Sequence, residues 1–219
     1  MEPIRFPTDD GLSLEGELRL PEAEIRATAV ICHAHPRHGG SKDHPVLWAV
    51  RNELAHRGFA VLAFNFRGTM GSDGTFGGGR TEVRDVAAAI ARAREESDGP
   101  TLVCGWSFGA NVALREALDD ARVATLALIG LPLEHDVELP AIPSPSELRV
   151  VRRPILLLAG EHDEYSPRAA LEALRDRLPN AELAIVQGTD HYLWRREREA
   201  AGIVGEFAER VLDRAVGPA

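Results

Sequence analysis

Leu12, Leu14, Leu18 and Leu20 alternate with polar residues in the segment LSLEGELRL. That two-residue period belongs to a half-buried antiparallel strand. With a shorter strand around Ile4 to Phe6 before it, the chain is expected to open as a β-hairpin. Beyond this point the alternation gives way to unbroken apolar runs: ATAVIC (27–32), FAVLAF (59–64), TLVC (101–104), VATLALI (123–129), ILLLA (155–159) and ELAIV (182–186). Runs of this kind suit strands covered on both faces, as in a parallel sheet.

Segments of helical period lie between the runs. Leu47, Val50 and Leu54 make one stripe, ending before Gly58; Val83, Val86, Ala87 and Ile90 make a second; Ala170, Leu171, Leu174 and Leu178 make a third. Ser166 and Pro167 precede the third stripe and predict an N-cap followed by a first-turn proline. Residues 110–118 and 203–211 complete the helical set. Strand and helix therefore alternate, which predicts an α/β fold with a mostly parallel, doubly wound sheet, the antiparallel hairpin at its N-terminal end and helices on both faces. Residues 131–153 break the pattern. Pro132, Pro140, Pro143 and Pro145 fall there without a sustained period, so a loop with at most a short helix is expected.

A chain of 219 residues, 44% hydrophobic, is long enough to bury one substantial core and short for two, so residues 1–219 are read as a single domain. A net charge of -9 with no basic run argues against nucleic acid or an anionic membrane as partner. Residues 195–199, RRERE, read as a solvated helix face. Met1 to Asp10 lacks the pattern of a secretory signal, and no apolar run approaches the ~20 residues of a membrane span. Cytoplasmic residence is expected, with Cys32 and Cys104 as buried free thiols.

Gly105-Trp106-Ser107-Phe108-Gly109 carries the sharpest chemical signal. It lies between a strand-like run and a helical segment, the context in which a Gly-x-Ser-x-Gly turn lifts a serine hydroxyl above the sheet. Serine needs a general base, and the base needs an orienting carboxylate. Asp163 follows the run ILLLA and His191 follows ELAIV, giving the chain order Ser, Asp, His. Glu161, Glu164 and Asp190 compete with Asp163, and His162 with His191. The Phe108 N–H supplies one oxyanion donor. The second falls to the loop 33–40, HAHPRHGG, at His35 or else Ala34, since Pro36 has no N–H.

The same loop suggests a rival. His33, His35, His38 and His44, with Asp43, are metal-ligand types, but Arg37 stands where the H-x-H-x-D-H pattern requires Asp. No metal is therefore assigned and no cofactor is implied. Arg67, in NFRGTMGS, is expected to pair with a carboxylate such as Asp85; Arg67, Trp106 and Met70 are rim or support candidates, and Gly77 to Gly79 suggest a mobile rim.

HAHPRHGG, NFRG followed by S-x-G, GWSFGA, GEHDEYSP and GTDHYL stand in an order that resembles the small, cap-poor α/β hydrolases related to dienelactone hydrolases and acyl-peptidase-like esterases. The resemblance runs almost end to end. It implies the α/β-hydrolase fold and a triad of Ser107, Asp163 and His191. Residues 131–153 occupy the position of that fold's cap insertion, and some twenty residues make only a short, lid-like insert, so an open site for a small acyl substrate is expected. Ala34 in place of the family's first loop proline and Met70 in place of a glycine are departures. The expected reaction is hydrolysis of a small carboxylic ester, a thioester or amide being close variants. The alternative from another class is a non-catalytic scaffold that binds a small ligand or a partner; a metal-dependent hydrolase built on His33, His35 and His38 ranks below it.

Overall fold

The computed structural model describes residues 2–133, 139 and 142–216. The leucine alternation makes a hairpin, in which β1 (Glu2–Pro7) pairs antiparallel with β2 (Ser13–Arg19). Leu14 and Leu18 are buried on one face of β2, whereas Leu20, past the end of the strand's pairing at Arg19, is 49% exposed. The apolar pattern thus outruns the element that buries it.

The unbroken runs become β3 (Ala27–Cys32), β4 (Phe59–Phe64), β5 (Thr101–Trp106), β6 (Val123–Ile129), β7 (Ile155–Gly160) and β8 (Ala181–Val186). Among the described residues these strands form one sheet in the order β1-β2-β4-β3-β5-β6-β7-β8. β2 meets β4 antiparallel, and every pairing from β4 across to β8 is parallel. β3 to β5 and β7 are buried throughout, but β8 closes the sheet and buries only Val186 completely, because an edge strand has a neighbour on one side only. Strand order reverses at β3, which has β4 on one side and β5 on the other. A crevice at the carboxyl ends of the strands is expected there.

α1 (Pro45–His56) and α6 (Glu197–Val216) pack together on one face, in a core that includes Leu47, Val50, Leu54, Val204 and Phe207. α2 (Glu82–Ala93), α3 (Phe108–Asp119) and α5 (Arg168–Arg175) cover the other, with Val86, Ile90, Leu114 and Leu171 inward. α2 is rotated from its expected stripe. Glu82 and Asp85 are buried beside Val86, Ala89 and Ile90, while Val83 and Ala87 are half-buried. Both carboxylates have partners in the preceding loop, which explains how a polar pair comes to lie on an inward face.

Within 131–153, α4 (Pro145–Val150) begins with a capping box between Ser144 and Glu147. Residues 134–138 and 140–141 of the expected lid-like insert lie outside the described residues. Ser166 is a correction: α5 has Pro167 at its N-cap position with no side-chain cap, and the Ser166 hydroxyl donates instead to the buried Leu131 carbonyl at 2.9 Å. That carbonyl has left the end of β6, so a hydroxyl there satisfies a group the sheet no longer can. Among the described residues no helix is long and apolar enough to cross a membrane.

Candidate active site

The carboxyl end of β5 turns into α3 through a single residue. Ser107 adopts φ 56° and ψ −119°, a left-handed conformation that costs a non-glycine residue energy and that its surroundings must enforce. The flanking glycines make the turn feasible. A Cβ on Gly105 would lie 2.3 Å from the Gly109 carbonyl oxygen, and one on Gly109 would lie 2.3 Å from that of Cys32. The Ser107 N–H donates to Ile129 O at 2.8 Å, fastening the turn to β6. Phe108 follows as the first helical residue, where an N–H finds no acceptor within the helix and faces the positive end of its dipole.

Two loops meet the serine from the other strand ends. The Ser107 hydroxyl lies 3.0 Å from His191 Nε2, and His191 Nδ1 lies 2.9 and 3.0 Å from the two carboxylate oxygens of Asp163. The Asp163 side chain is 1% exposed, and its Oδ1 also accepts the N–H groups of Tyr165 and Ser166, both at 3.0 Å. A carboxylate surrounded by N–H donors calls for a proton on His191 Nδ1 and leaves Nε2 as acceptor for the serine. The competing groups face elsewhere. Glu161 accepts Gly188 N–H, Asp190 accepts Tyr192 N–H, and His162 and Glu164 are exposed.

Sequence inspection missed Gly130. Leaving β6 at φ +52°, it sits so close that a Cβ there would lie 3.0 Å from His191 Nδ1 and Cε1 and 3.2 Å from Asp163 Oδ2. The one available signal was the glycine directly after an apolar run, where a backbone can approach a neighbour closely.

In the loop after β3, the single 3₁₀ turn Pro36–His38 returns the chain so that Gly40 N–H donates to His35 O. The His35 ring packs on the Phe108 ring at 5.3 Å, setting the two residues side by side. His33 is fully buried and not a free ligand. Its Nδ1 lies 2.6 Å from Ala34 O, and its Nε2 accepts Phe66 N–H at 3.0 Å. Burial lowers its pKa to about 4, holding the ring neutral. His44 caps α1, accepting Val46 N–H, and stacks on Trp106 at 3.9 Å. Among the described residues no three His, Cys, Asp or Glu side chains converge as a metal site.

Of the rim candidates, only Trp106 lines the cleft over Ser107; its indole N–H donates to His191 O at 3.2 Å. Arg67 is turned away into a buried cluster, with Nε and Nη2 at 2.9 and 2.6 Å from Asp85 Oδ1 and Nη1 at 2.9 Å from Asp10. Met70 is exposed at φ 49°, and neither it nor Arg67 lines the cleft. The glycines expected to form a mobile rim are tied down, Gly77 and Gly79 donating at 2.7 and 2.8 Å to the buried Glu82 carboxylate. Around Ser107 and His191, the cleft of about 150 Å³ is walled by the 34–40 loop, His44, Pro132, Leu139, Tyr165 and Tyr192.

Residues 27–215 match the family model of an alpha/beta hydrolase domain. A solved α/β serine hydrolase homologue from Coxiella burnetii superposes with a TM-score of 0.83 at 26% identity, over 94% of this chain and 96% of its own. XC6422 from Xanthomonas campestris, a serine hydrolase without a lid, gives 0.81 at 25% identity over 95% and 94%. The protein RP471 of Rickettsia prowazekii is 26% identical over 94% of this chain and 88% of its own.

Proposed function

We propose, for a chain that belongs to the α/β hydrolase family, the hydrolysis of small carboxylic esters through an acyl-enzyme on Ser107. The observation that carries this reading is the continuous line of hydrogen bonds from Ser107 through His191 to Asp163.

In this mechanism His191 Nε2 takes the hydroxyl proton as Ser107 Oγ attacks the ester carbonyl, and Asp163 steadies the imidazolium. The Phe108 and His35 N–H groups receive the developing oxyanion, the first aided by the α3 dipole. His191 returns its proton to the leaving alkoxide oxygen. Water then attacks the acyl carbon, with His191 again as base, and releases the acid. No metal takes part, in keeping with the use of both His33 ring nitrogens by backbone groups. The whole chain acts as one catalytic domain on a small acyl substrate, without nucleic acid or membrane as partner. Cytoplasmic residence belongs to the same reading, supported by the buried, unpaired Cys32 and Cys104.

Incubation with a fluorophosphonate probe, followed by peptide mass mapping, tests the proposal. Label is expected on Ser107 alone, with p-nitrophenyl acetate turnover lost in Ser107→Ala. Label elsewhere, or turnover that survives the substitution, overturns it.

A further inference from the structure

Four rings form a closed circuit beside the Ser107–His191 pair. His44 stacks on Trp106 at 3.9 Å, Trp106 meets Tyr192 edge-on at 6.2 Å, Tyr192 stacks on Trp194 at 6.1 Å with 20° between planes, and Trp194 returns to His44 at 5.8 Å. Trp106 and Tyr192 also touch the His191 ring, at 5.8 and 5.7 Å, and Tyr165, 37% exposed, touches it from the cleft at 4.8 Å. Trp106 and Tyr192 line the cleft, Trp106 buried and Tyr192 45% exposed, whereas Trp194, 54% exposed, lies outside that lining and stacks on Tyr192.

The backbone that displays the outer two rings is costly. Leu193 at φ 56° and Arg195 at φ 64° both occupy the left-handed region, which bulky side chains adopt at a penalty. Leu193 points inward and is buried, and its neighbours Tyr192 and Trp194 turn outward. Burial of Leu193 anchors the loop, but it does not require two large aromatic residues facing water. The exposed rings of Tyr165 and Tyr192 in the cleft lining suit a planar, apolar ligand. Burial keeps the His44 ring beside them neutral, with its pKa lowered to about 4.

We propose, resting on the esterase reading above, that Trp106, Tyr165 and Tyr192, the cleft-lining rings that touch His191, are specificity-determining residues that select esters whose alcohol part carries an aromatic ring. The side of the ester follows from the path of the proton. As the bond from Ser107 Oγ to the acyl carbon forms and the bond to the alkoxy oxygen breaks, His191 gives its proton to that oxygen, which must therefore sit at Nε2. The group attached to it leaves along the rings that touch His191, while the acyl oxygen is turned to the Phe108 and His35 N–H groups.

Benzyl acetate and cyclohexylmethyl acetate, matched in size but not in π character, test the proposal. Benzyl acetate is expected to have the higher kcat/KM by about three- to tenfold. In Tyr165→Ala and Tyr192→Ala the ratio should fall to about one, and in Tyr192→Phe it should largely persist. A ratio near one in the unaltered protein, or one that survives both alanine variants, overturns the proposal. A larger ratio between methyl phenylacetate and methyl cyclohexylacetate than in the alcohol series overturns the placement on the alcohol side. Quenching of tryptophan fluorescence in Ser107→Ala by benzyl methyl ether separates the two readings. Saturable quenching without hydrolysis of either acetate by the unaltered protein would sink the esterase reading and keep the ring site; hydrolysis with a ratio of one would do the reverse.

Discussion

Two buried histidines stand at the carboxyl edge of the same sheet, and they have opposite fates. His33, directly after β3, gives one ring nitrogen to Ala34 O and the other to Phe66 N–H. His191, in the loop after β8, gives one to the Asp163 carboxylate and the other to the Ser107 hydroxyl. Burial is nearly equal, 0% and 8% exposed. The difference lies in the partners. At His33 burial outweighs the pull of the Ala34 carbonyl toward a charged ring, so the ring stays neutral and in place. A carboxylate on one side and a hydroxyl on the other let the ring accept a proton and be stabilised after doing so. Each corner has its own ionic support as well. Beside His33, Arg67 and Asp85 form a buried pair, 5% and 0% exposed at their side chains, which fastens the loop after β4; beside His191, the carboxylate is spent on the histidine itself.

Asp163→Asn would make the His191 corner resemble the His33 corner, with an uncharged partner. Ester turnover should fall by about 10⁴-fold while the circular dichroism spectrum is unchanged; a loss below tenfold would break the contrast. Asp85→Ala attacks the other corner. Leaving the Arg67 guanidinium buried without its main partner should cost about 3–5 kcal/mol, a Tm lower by about 10 °C. Thermal melts followed by calorimetry test it, and because Arg67 and Asp85 do not line the cleft, the kcat of the protein that remains folded should stay near its unaltered value.

The His191 corner was legible in the sequence because each of its parts sits in a readable context: a serine between two glycines at a strand-to-helix turn, and Asp163 and His191 just beyond apolar runs. The His33 corner was not. HAHPRHGG offers three ligand-type histidines within six positions, and nothing in the string reveals that His33 points into the sheet toward Phe66. Likewise the period of α2 gave the stripe but not its rotation, since Glu82 and Asp85 are inward only because a loop some residues earlier supplies their donors. Contacts set by tertiary closure leave no local period, so residues such as Gly130 and His44 take their meaning only from what the fold brings against them.

A third test uses pH. His33 has its pKa lowered from 6.5 to about 4 by burial, so the folded state prefers the neutral ring and the unfolded chain binds the proton more readily. Its contribution is therefore complete above the unfolded pKa and is lost as pH falls from about 6.5 toward 4, in the order of 3 kcal/mol. His44, with the same direction of shift and partial burial, adds a smaller loss in the same window. Denaturant unfolding between pH 7 and pH 4 should show the decline, and His33→Gln, though less stable at pH 7, should show a flatter one. An equal slope in both proteins would mean that the two histidine corners differ less than their partners suggest.

Gly130→Ala is the finest probe, because it changes no partner and no charge. The added methyl would press on His191 Nδ1 and Cε1 at 3.0 Å and on Asp163 Oδ2 at 3.2 Å, from a residue already at φ +52°. The ring can yield only by turning away from Asp163 or from Ser107, and a displacement near 1 Å at a reacting group costs about 10²-fold in rate. The loss should appear in kcat more than in KM, since the methyl meets the histidine and the carboxylate and not the walls that seat a substrate. His33 and its partners are untouched, so the pH dependence of stability between 6.5 and 4 should match that of the unaltered protein. Turnover within twofold of the original would show that the His191 corner tolerates movement, and that its hydrogen-bond partners matter more than their exact placement.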